Sequence, residues 1–142
     1  MIYRTASLRW GLILFLAALG LARPLLSIAG VYDAPGIELA GPVTVTALIA
    51  AFWVGAVVLT RTPNPLLTLT ATGGLYGVFA ILLQQAIWNL ILGGAPEGTP
   101  SSAPVLVMSW VGVIVTNTIW GAFLGLVAAG LRRLLPRRGV EE

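Results

Sequence analysis

The sequence contains no cysteine, no histidine and no lysine, and only 9% of its residues are charged. Each absence excludes chemistry. Without cysteine there are no disulfides and no thiol nucleophile, and without histidine there is no imidazole general base. Zinc or haem held through Cys or His lacks its ligands as well. No glycine-rich phosphate loop, metal-ligand spacing or catalytic triad occurs either. The sequence therefore predicts no cofactor and no bound metal, and it argues against an enzyme. Soluble domains carry about 25% charged residues and about 45–50% apolar ones. At 58% apolar over 142 residues, with a mean hydropathy of +0.96, this chain has too few charges to coat a globule. It reads as an integral membrane protein.

Four apolar stretches are present, at about 8–31, 42–60, 66–92 and 104–131. Each is long enough for the roughly 20 helical residues that a hydrocarbon core requires. Turn-forming segments separate them: Tyr32 to Glu38 with Pro35 and Gly36, the tight Arg61-Thr62-Pro63-Asn64-Pro65, and Gly93 to Ser102. The expected fold is all-α, a single membrane domain over 1–142 built as a four-helix transmembrane bundle, with a basic tail at 132–142. A competing reading treats Met1–Arg9 and Trp10–Ala22 as a cleavable signal segment, but the apolar run resumes at Leu25 beyond Arg23-Pro24, which favours an intact first span.

The net charge of +3 comes from eight arginines against five acids. Arginine placement speaks for topology rather than nucleic acid. Arg4 and Arg9 precede the first span, Arg61 lies between the second and third, and Arg132, Arg133, Arg137 and Arg138 follow the fourth. Asp33, Glu38 and Glu97 occupy the other two loops. Short cytoplasmic loops hold the excess of arginine, so both termini are expected in the cytoplasm of a cell-membrane, multi-pass protein. Arg132, Arg133, Arg137 and Arg138 would then meet the lipid surface, each contributing about 1 kcal/mol of attraction to anionic lipid. Trp88 and Trp110, with Tyr3 and Trp10, fit aromatic belts at the two interfaces, whereas Trp53 and Trp120 sit deeper and read as packing residues.

Helices in a bilayer associate through small residues and polar groups, because lipid tails are as apolar as leucine. Three small-residue ridges are expected to serve as packing faces: Ala47, Ala51 and Gly55 in the second span, Gly73 and Gly77 in the third, and Gly121 and Gly125 in the fourth. Asn117 lies on the last ridge and should enter the bundle. The turns after the first and third spans share an Ala-Pro pair, and Pro-Val opens both the second and the fourth, which raises a parallel duplication of two-helix units.

Arg23 is the charge that topology leaves unexplained, and an ionised side chain inside a span is a functional-site hypothesis by default. Rise along the helix puts it about 12 Å below the outer end of its span, level with Gln84 and Gln85, with Asn89 about 6–8 Å further out. A polar layer of Arg23, Gln84, Gln85, Asn89 and Asn117 in the outer half of the bundle is the resulting candidate site. Arg23 could instead reach lipid phosphate or order the bundle through backbone carbonyls. No span contains Asp or Glu, which disfavours proton-coupled antiport. Two functions follow. The favoured one is a structural or accessory subunit that packs in the membrane against itself or another protein; the alternative is a channel or transporter, not proton-coupled, for a small or anionic solute. Lipid and membrane protein are the expected partners, and nucleic acid is not.

Overall fold

The computed structural model describes residues 8–135; Tyr3, Arg4, Arg137 and Arg138, with the roles the sequence suggests for them, lie outside the described residues. Within that range the chain is all-helical: α1 (Trp10–Gly20), α2 (Ala22–Ile28), α3 (Ala40–Leu59), α4 (Pro65–Leu90) and α5 (Ala103–Leu134). Taken together, α1 and α2 form one apolar segment, so four helical segments are long and apolar enough to cross a membrane. Their ends lie within a turn of the sequence bounds. The break at Leu21 falls where proline dictates: Pro24 has no amide hydrogen to give the Gly20 carbonyl, and the Leu21 amide tightens onto Ala18 instead (3.1 Å).

Helix ends follow local chemistry. Proline stands in the first turn of α4 and of α5, where amide groups would be unpaired in any case. The end of α2 is closed by Gly30 at φ +72°, with Val31 N–H on the Leu26 carbonyl and Gly30 N–H on that of Ser27. This is a Schellman turn, and glycine suits its left-handed position. The same turn ends α3, through Thr62 N–H to Val57 and Arg61 N–H to Val58, but here the left-handed residue is Arg61 at φ +48°.

The α3–α4 turn is also where both ends of the chain's helical part converge. Arg9 donates to the Thr60 carbonyl (3.5 Å) and Arg132 donates to the Thr62 carbonyl. The helices thus run up and down, with Arg9, Arg61, Arg132 and Arg133 gathered at one end. Buried residues concentrate toward that basic end: Ile13, Leu16 and Ala17 of α1, Trp53 and Val57 of α3, Thr68, Leu69 and Thr72 of α4, and Leu124 and Ala128 of α5. No residue of α2 is buried. At the other end Tyr32 is buried, against Gly41, but the bundle is more open there, splayed relative to the basic end.

Glycine explains the tight half. Among the described helices the α4–α5 pair makes the most extensive contact. A Cβ on Gly73 or Gly121 would collide with the carbonyl oxygen of Asn117 or Leu69 respectively, and one on Gly125 would lie 2.7 Å from the Leu66 Cα. A Cβ on Gly77 would lie 3.0 Å from the Ile114 Cα. These two ridges face each other, backbone against backbone, as small residues permit in a bilayer. The third ridge behaves differently. Ala47 and Ala51 are exposed, and a Cβ on Gly55 would meet open space. Within the chain this ridge packs against nothing, because α3 turns Trp53 and Val57 inward. Successive helical residues are about 100° apart, so a residue two positions from Trp53 or Val57 points roughly the opposite way.

Candidate functional site

A cavity of about 230 Å³ opens directly above the packed half, and every helix contributes to it: Gly20 of α1, Arg23 of α2, Thr46, Ile49 and Trp53 of α3, Tyr76 of α4, and Thr116, Asn117 and Trp120 of α5. Trp53 forms its floor. It is 2% exposed, and its indole N–H donates to the Leu16 carbonyl at 2.9 Å. Tyr76 meets that ring edge to face at 6.0 Å between centroids, a favoured aromatic arrangement. Gly20 makes room for both rings, since a Cβ there would lie 2.7 Å from the Tyr76 ring and 3.2 Å from Trp53. Trp120 forms a wall, stacked on Phe123 at 5.7 Å.

Arg23 brings the charge. Its side chain, exposed on one side, lines the cavity together with Tyr76, and no acidic residue does. Helical side chains incline toward the helix N-terminus, so Arg23 reaches back from the splayed end to the level of Gly20 and Tyr76. That inclination is what counting Cα rise alone misses. Tyr76, Asn117 and Ile49 each stand near the midpoint of their helices, so the polar cluster lies at mid-height and not in the outer half.

Of the five residues singled out in the sequence, the cavity brings together Arg23 and Asn117. Gln84, Gln85 and Asn89 do not line it, and the Asn89 amide donates to the Gln85 carbonyl of its own helix (2.7 Å). Asn117 is half-buried and spends one N–H on the Val113 carbonyl (2.8 Å), while Thr46 donates to Pro42 (2.7 Å). Such back-bonds one turn earlier satisfy polar side chains where water is scarce. The donors of the cavity lining that remain are the Arg23 guanidinium, the Tyr76 and Thr116 hydroxyls, the Trp120 indole N–H and the second Asn117 N–H. Tyr76, Thr46 and Thr116 escaped the sequence reading. Tyr76 offered a signal, one residue before Gly77 on a glycine-rich face; the two threonines offered none that separates them from the chain's other threonines.

Among the described residues no cluster of acidic side chains that could hold a metal occurs. The cavity is a cation-bearing, aromatic-walled cleft in an otherwise apolar bundle. Comparison with known protein families, with characterised proteins and with solved structures finds no match. The four apolar helices suggest a membrane protein.

Proposed function

We propose that this chain is a non-catalytic, multi-pass protein of the cell membrane whose mid-height cleft binds a small anionic solute and conveys it across the bilayer. The observation that carries this reading is the cleft itself. Arg23 is the one charge within the four apolar segments apart from Arg132 and Arg133 at the end of α5, and it faces unspent donors with no acid to neutralise it. An intramembrane cation so placed marks a pathway or a binding site. Arginine placement supports cytoplasmic termini, with Arg132 and Arg133 beside anionic lipid. One bundle of four helices encloses no continuous water-wide path, so transport would proceed through a carrier cycle or an oligomer.

Flux of a small organic anion into liposomes holding the purified protein tests this. Saturable uptake abolished by Arg23→Leu and weakened by Asn117→Leu is the expected result. Silence in the wild type overturns it.

A second reading, an accessory subunit packing against itself or another membrane protein, is favoured by one surface. The outward face of α3 presents Ala47 and Ala51 unpartnered, flanked by the exposed Phe15–Phe52 pair at 6.3 Å. A stable complex in mild detergent that Ala51→Leu dissociates would support that role; nucleic acid is not a partner under either reading.

A further inference from the structure

We infer that the guest of the Arg23 cleft is a small aromatic carboxylate, a flat ring bearing one carboxyl group. This deepens the proposed function and rests on it. Three features of the cleft converge on that class.

Charge and geometry select the head group. Arginine presents a planar fork that matches a carboxylate through two parallel hydrogen bonds, and the absence of an acidic lining residue leaves that fork for an anion. Thr116 and Asn117 both line the cavity from α5, and the Thr116 hydroxyl and the second Asn117 N–H can take the remaining carboxylate lone pairs.

The walls select the body. Trp53, Tyr76 and Trp120 line the same cavity as Arg23, and Ile49 is its aliphatic surface. Trp53, 2% exposed, only closes the floor; a hydrated inorganic anion would leave Tyr76 and Trp120 facing water, whereas a flat ring stacks on or abuts them. Size sets the limit. A volume of about 230 Å³, at roughly 30 Å³ per water in the liquid, corresponds to about seven or eight waters. It lies below the roughly 300–1,000 Å³ of drug-sized pockets. A benzoate, with nine non-hydrogen atoms, is small enough to enter such a space with its edge at the open side.

The test is calorimetric titration of the full chain in phosphatidylcholine nanodiscs, with empty discs as the blank for membrane partitioning. The ligands are benzoate, cyclohexanecarboxylate, acetate and inorganic phosphate. Benzoate is expected to bind saturably, at least tenfold tighter than acetate or phosphate and several-fold tighter than the non-planar ring acid. Arg23→Lys, which keeps the charge but not the fork, should weaken benzoate about tenfold with unchanged helical circular dichroism; Thr116→Val should weaken it less. Equal binding of acetate and benzoate overturns the aromatic assignment while leaving an anion cleft in place. Loss of benzoate binding on adding phosphatidylglycerol, matched by retention of that lipid in the wild type and its release by Arg23→Leu, overturns it in favour of a lipid phosphate. No saturable binding of any anion removes both this inference and the function beneath it.

Discussion

Replacing Gly121 by alanine should destabilise the protein, while the same replacement at Gly112, nine residues earlier on the same helix, should stabilise it. At Gly121 the added Cβ meets the Leu69 carbonyl oxygen inside contact distance and lies 3.1 Å from the Gly73 Cα. Carbon atoms rest at about 3.5–4.0 Å, and both obstacles are backbone, which no rotamer change can move. The α4–α5 pair must therefore open by about half an ångström or more, loosening the neighbouring Gly77–Ile114 and Gly125–Leu66 approaches. Overpacking of this kind costs about 1–3 kcal/mol, and a backbone obstacle belongs at the top of that range. Alanine returns about 1 kcal/mol through helix propensity, so the net loss is about 2 kcal/mol. At Gly112 nothing lies within 4 Å of the added methyl, leaving only the propensity gain of about 1 kcal/mol. The two variants should thus differ by roughly 3 kcal/mol, or more than a hundredfold in the unfolding equilibrium. Reversible unfolding in mixed detergent micelles, followed by circular dichroism, reads this difference. If the two alanines shift the midpoint in the same direction, the direct backbone approach of α4 and α5 is refuted.

Trp53→Phe keeps most of the ring but strands the Leu16 carbonyl bond, and should cost about 1 kcal/mol in the same assay; no loss would mean that the indole N–H contributes nothing to the core. Arg61 holds a left-handed conformation that costs L-residues about 1–2 kcal/mol. Arg61→Gly should therefore raise stability by up to about 1 kcal/mol while Arg61→Val lowers it, and equal midpoints would contradict the Schellman geometry at the end of α3. Since the chain has no cysteine, single cysteines report topology without background. A membrane-impermeant maleimide should label Glu97→Cys in intact cells and Thr60→Cys only after permeabilisation, and the reverse pattern would invert the proposed orientation.

The helices were legible in the sequence because hydropathy and length are additive along the chain, and the turn residues that end them act locally. The two glycine ridges of α4 and α5 were legible too, since a small-residue face in an apolar helix has few uses other than close approach. The α3 ridge shows where that logic stops. Ala47, Ala51 and Gly55 carry the same pattern, yet which face turns inward was decided by Trp53 finding the Leu16 carbonyl, a contact 37 residues apart that no local pattern encodes. The polar cluster was half legible for a related reason. Arg23 and Asn117 announce themselves by being polar in an apolar run, whereas Tyr76 and Thr116 acquire their place only when α2, α4 and α5 come together. Gln84 and Gln85 stand about two turns beyond Tyr76 on α4 and do not line the cleft, a difference in level that axial rise from Arg23 does not reveal because that side chain leans back toward its helix N-terminus.

The uneven packing of the bundle bears directly on how Arg23 is tolerated. A charged side chain at the centre of a spanning helix costs about 2.5–3.5 kcal/mol on insertion scales, a large fraction of an ordinary protein's stability. Arg23 sits only five residues before the end of α2, about 7.5 Å along the axis, and α2 carries no buried residue, so the splayed half leaves the guanidinium a route to water. Were the splayed half as tightly packed as the glycine-locked half, that route would close and Arg23 would need an acid, which no apolar segment supplies. Under the proposed function, close packing near the basic end and an open cleft above Trp53 are therefore linked requirements: the first holds the four helices together with little help from the second, and the second would keep the Arg23 cation solvated and available to an anion. A substitution that fills the cleft, such as Gly20→Leu, should accordingly abolish anion binding while leaving the α4–α5 interface intact.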